Sequence, residues 1–142
     1  MRRALTALTI ATVLVGGLAA CDGSPQIDLD RIGEQVQQGV DAARDSLDDV
    51  QGAVDGATGL DGTARAAVQD AAAQAEDAIA QARAAVQDGA APEAVEQARA
   101  ALTEAKASVE AASEGVPEVV RTALDGLTTR IDQIVAELAD AS

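Results

Sequence analysis

An all-α fold, an antiparallel helical bundle or coiled coil of three to four alanine-rich amphipathic helices, follows from three features of this sequence. Apolar residues recur at alternating spacings of three and four over long stretches, which is the seam of helices packed side by side. Glycine and proline mark three breaks, at Gly56, Gly59 and Gly62, at Gly89 and Pro92, and at Gly115 and Pro117. Hydrophobic residues make up 48% of the chain and aromatic residues none, so any core is built from alanine and aliphatic side chains.

The first helix is expected over 26–55, with Leu29, Val36, Val40, Ala43, Leu47, Val50, Val54 and Ala57 on one heptad face and Ile32 beside it. Gly33, Gly39 and Gly52 interrupt it, each costing about 1 kcal/mol relative to alanine in a helix interior. The second, over 63–88, aligns Val68, Ala72, Ala75, Ile79, Ala82 and Val86. The third, over 92–113, repeats the device with Val95, Ala98, Leu102, Ala105, Val109 and Ala112, with Pro92 suited to a first turn and Gly115 to a stop. The fourth, over 117–140, has the bulkiest stripe: Val120, Leu124, Leu127, Ile131, Ile134 and Leu138. Short breaks fold consecutive helices back on one another, and helices of about 24 residues make a slim bundle about 36 Å long.

Residues 64–70 recur unchanged as 82–88, and a looser copy begins at Ala98. Eighteen residues is about five helical turns, so the two copies face the same way along one helix. Duplicated helix-forming sequence accounts for this more simply than a repeated docking face does. Alanine on the seams permits close approach but buries little apolar surface, so the bundle is expected to be marginal alone and to gain from self-association or a protein partner.

The start of the chain has a different character. Arg2 and Arg3 precede an apolar run over 4–15, followed by Gly16 and Gly17 and then Leu18-Ala19-Ala20-Cys21. This is the anatomy of a secretory signal peptide. With cysteine after two small residues it resembles the bacterial lipoprotein precursors, whose lipobox Leu18, Ala19, Ala20 and Cys21 match at every position. The resemblance covers the first 21 residues only. It implies cleavage before Cys21, transfer to its sulfur of a diacylglycerol bearing acyl chains such as palmitate, and attachment to the extracytoplasmic side of the bacterial cell membrane. The expected organisation is a signal peptide over 1–20, a lipidated cysteine and short tether over 21–25, and an acidic helical domain over 26–142. Cys21 is also the sole cysteine, so no intramolecular disulfide forms.

Loss of the leader removes Arg2 and Arg3, and the remaining eight basic residues against 24 acidic ones leave a mature charge of −16. That charge opposes nucleic acid and anionic lipid headgroups as partners. With no histidine or aromatic residue, imidazole bases, imidazole ligands and stacking platforms are absent. Ser46, Ser108 and Ser113 therefore have no histidine to activate them, and Lys106 beside Glu104 reads as half of a surface ion pair. Asp48-Asp49, Glu76-Asp77 and the loop between Asp55 and Asp61 are the densest acidic spots, explained equally by solvated helix faces and by weak divalent-cation association. No enzyme, cofactor or metal site is expected. The expected role is that of an envelope lipoprotein acting as spacer, assembly partner or accessory subunit. The rivals are an acidic binding module for divalent cations or a basic partner, and a conditionally helical stress-protective chain.

Overall fold

A computed structural model describes residues 29–140. The lipobox residues Leu18, Ala19 and Ala20, the lipidation candidate Cys21 and the tether lie outside the described residues. Four helices follow one another, α1 (Leu29–Gly56), α2 (Gly62–Gln87), α3 (Pro92–Ala112) and α4 (Glu118–Asp140), with no strand among the described residues. Each packs against its neighbours in the chain, and α4 closes the ring against α1. The closest pairs are α1 with α4 and α2 with α3, and only α2 and α4 touch across the diagonal. Gly39, early in α1, lies against Ile134 and Glu137, late in α4, and Gly33 lies beside Val86 near the end of α2. The helices therefore alternate in direction, as short connections require.

The stops are local chemistry. Asp61 caps α2, its carboxylate accepting the Ala64 N–H at 2.8 Å. After α2, Gly89 at φ +87° and Ala90 at φ +53° turn the chain, and the Ala90 N–H reaches back to the Ala85 carbonyl at 2.9 Å, the pattern of a Schellman stop. Pro117 lies just before α4 rather than inside it, where its carbonyl accepts the Val120 and Arg121 N–H groups, both at 3.0 Å. A proline has no N–H to lose at such an entrance.

The core is one continuous apolar cluster with no buried polar or charged residue among those described. On α3 and α4 the buried residues are the six seam positions of each pattern. On α1 the heptad positions Val36, Val40, Ala43, Leu47, Val50 and Val54 are buried, as is Ala57 just beyond its end, and Ile32 is half-buried. The α2 seam differs: Ala71, Ala78 and Ala85 are buried as well, and Val86 is only half-buried. This helix meets α3, α1 and the diagonal α4, so its apolar face is wider than a two-helix seam. The repeated heptapeptide illustrates the drift. A heptad seam rotates about 20° per repeat relative to a straight helix, so over two and a half repeats the burial passes from Val68 in the first copy to Ala82 and Ala85 in the second.

The glycines of α1 do not break it, and they divide into two kinds. At Gly39 an added Cβ would stand 3.0 Å from Ile134 Cγ1 and 2.9 Å from Glu137 Oε2, whereas at Gly52, as at Gly126 on α4, nothing lies within 4 Å. Gly52→Ala and Gly126→Ala are expected to stabilise the bundle by about 0.5–1 kcal/mol each through helix propensity. Gly39→Ala, with the same intrinsic gain, is expected to be neutral or destabilising, because fully buried Ile134 has no free space to move into. Urea unfolding of the three variants followed at 222 nm separates these outcomes; equal gains at all three positions would contradict the close approach of α1 and α4.

Candidate functional site

The chemistry-bearing side chains singled out in the sequence do not converge. Ser46 donates to the Ala42 carbonyl at 3.1 Å and Ser113 to the Glu110 carbonyl at 2.6 Å, both within their own helical stretch. Ser108 donates across the α2–α3 seam to Gln74 Oε1 at 2.6 Å. The Lys106 ion pair is not with Glu104. Lys106 reaches across to α4 and donates to both Asp132 carboxylate oxygens, at 2.7 and 2.8 Å, with Glu110 on its own helix at 3.9 Å. Neighbouring residues on a helix point about 100° apart per step, so Glu104 faces away from Lys106, whereas Asp132 faces it across the seam. The Asp132 hydrogen bond, with the charges of Asp132 and Glu110, holds the Lys106 ammonium pKa above its usual value.

The acidic spots stay dispersed. Asp48, Asp49, Glu76 and Asp77 are exposed, and no three acidic side chains gather closely enough to hold a metal ion among the described residues. Exposed Asp61 is occupied as a helix cap.

One carboxylate stands apart. Glu137 is half-buried over Gly39, its Oε2 is shielded from water with no hydrogen-bond partner, and burial pushes its pKa upward. Arg130 lines the same α1–α4 groove, but its guanidinium donates to Gln133 at 2.9 Å instead. The sequence reading did not single out Glu137. The available signal was Gly39 beside the seam residue Val40, a small residue where a neighbouring helix comes close.

Because the folded pKa of Glu137 is raised, its protonated form is the one the fold favours. The contribution is fully present below the ordinary glutamate pKa and is lost as pH rises through the raised value. Glu137→Gln is expected to stabilise the bundle at pH 7 by less than about 1 kcal/mol and to leave it unchanged near pH 4. Thermal melts of both proteins at the two pH values test this; a variant less stable at pH 7 would show that the carboxylate makes a favourable contact.

No helix among the described residues is long and apolar enough to cross a membrane. No family model, curated protein or solved structure matches this chain.

Proposed function

We infer that this protein is a lipid-anchored cell-envelope protein that acts through structure or protein contacts, as a spacer, assembly partner or accessory subunit. The observation that carries the reading is the quartet Leu18-Ala19-Ala20-Cys21 at the end of a charged and then apolar leader. The bundle's topology supports it. The alternating helices place Leu29 and Asp140 at one end, so a tether from Cys21 would enter there, and the connections at 57–61 and 113–117 would stand at the other. With 28 residues at about 1.5 Å each, α1 alone spans about 42 Å, the reach of a small spacer. Val119, the exposed large hydrophobic residue among those described, lies toward that far end.

Intact mass spectrometry of the membrane-derived protein tests the anchor. The expected species begins at Cys21 and carries diacylglycerol, with or without a further acyl chain on its amino group. An unmodified cysteine, or a chain that retains residues 1–20, would overturn it.

A second reading, an acidic module for a basic partner, is supported by α1. Asp41, Asp45, Asp48 and Asp49 are all exposed on it without an ion-pair partner among the described residues. Titration with a cationic peptide that gave neither heat nor helix stabilisation would remove this reading.

A further inference from the structure

Near the end of the bundle where α1 begins and α4 finishes, Glu137 is held over Gly39. The seat exists because residue 39 has no side chain: an added Cβ would stand 2.9 Å from Glu137 Oε2. In that seat the oxygen is shielded from water, and no donor among the described residues reaches it. A shielded acceptor without a donor is costly for a neutral carboxyl and more so for a carboxylate. The position of Glu137 in its helix opposes ionisation as well. It lies in the last turn of α4, where the free carbonyl groups carry partial negative charge and no basic residue offsets them. Asp140, exposed in the same turn, adds a second acidic group.

No neighbouring charge restores the balance. The groove around Glu137 is lined by Gln38, Gly39 and Ala42 of α1 and by Arg130, Gln133 and Ala136 of α4. Arg130 is the one cation among these, and its guanidinium donates to Gln133 instead. The helices packed around α4 carry Glu34 and Asp41 on α1, Arg83 and Asp88 on α2, and Glu96 and Arg99 on α3, yet none of these lines the groove. Arg99 is paired with Glu96 on its own helix. The outer side of the groove is open, so a carboxylate that leaves the seat is hydrated by rotation of its own side chain.

We propose that Glu137 and Gly39 form a proton-operated latch between α1 and α4: the neutral carboxyl stays seated over Gly39, and the carboxylate swings out to water and loosens the last turn of α4. The latch needs these two helices alone, so it holds or fails independently of any lipid on Cys21.

The test is an NMR titration of the full chain in non-ionic detergent micelles from pH 4 to pH 8, with Glu137→Gln alongside to separate this group from the other carboxylates. The Gly39 Hα to Glu137 Hγ Overhauser contact is expected at pH 4 and lost at pH 8, with a midpoint above the ordinary glutamate value of about 4.3. The amide of Leu138, whose side chain is fully buried in that last turn, should exchange about two- to fivefold faster at pH 8 than at pH 4 after correction for intrinsic rates. Glu137→Gln should keep the contact, and its slow exchange, across the whole range. Gly39→Ala fills the seat and should return the Glu137 midpoint to the ordinary value; should that variant fail to fold, Glu137→Gln still decides. A contact that persists at pH 8, an ordinary midpoint in the wild-type protein, or the same pH dependence of Leu138 exchange in Glu137→Gln would each overturn the proposal.

Discussion

Leu127→Ala is expected to destabilise the bundle by about 2–5 kcal/mol, enough to unfold a large fraction of the protein at room temperature if its stability lies at the low end of the usual ~5–15 kcal/mol. Leu127 is fully buried midway along α4, in the stripe with Leu124, Ile131 and Ile134. Most of the buried residues on α2, and half of those on α3, are alanines, so α4 supplies the large side chains that fill the space between the helices. Removing one leaves a cavity that short alanine side chains cannot collapse to fill. The control is Val119→Ala on the same helix, 57% exposed and expected to change stability by less than about 0.5 kcal/mol. Urea titration of the full chain, followed at 222 nm with wild type alongside, measures both. A Leu127→Ala loss under about 1 kcal/mol would mean that the α4 stripe is not the packed centre of the fold.

Cys21→Ser is expected to move the protein out of the firmly bound membrane fraction, or to leave it unprocessed, without changing its helical content. Acyl chains bury about 0.8 kcal/mol per methylene, and two or more chains are needed for lasting attachment. Little else on the chain would hold it there. The charge of −16 that would remain after loss of the leader would be repelled by anionic headgroups, and no helix among the described residues is long and apolar enough to span. Fractionation in high salt, with intact mass to report processing, distinguishes release from retention of the leader. A fully processed serine variant that remained firmly bound would sink the reading of a lipid anchor and leave the description of the bundle untouched.

Much of the fold was legible because its signals are local. The seams of α3 and α4 are buried position for position, and the stops at Gly89 and Gly115 carry positive φ, which glycine adopts without steric cost. The α2 face was read too narrowly because a two-helix heptad has no place for Ala71, Ala78 and Ala85, which are buried only when third and fourth helices are present. The three α1 glycines were read alike, as weak points, although Gly39 alone is a close approach. Lys106 was assigned to the acid nearest in sequence, whereas its partner Asp132 is 26 residues away. The cavity between α1 and α2 was invisible for the same reason: Val50 and Val54 lie on one helix and Val68 and Ala72 on the other, and nothing in the spacing brings them together.

By itself the sequence determined the number of helices among the described residues, the apolar seams of α3 and α4, and the stops between helices, because each depends on residues within a few turns of one another. The tertiary structure alone decided that α1 pairs most closely with α4 and α2 with α3, that Glu137 is shielded over Gly39, and that the α1–α2 seam stays partly open. Those outcomes depend on how each helix is rotated about its axis and which neighbour it meets, and heptads of similar apolar character leave that choice to the fit of individual side chains in a shared core.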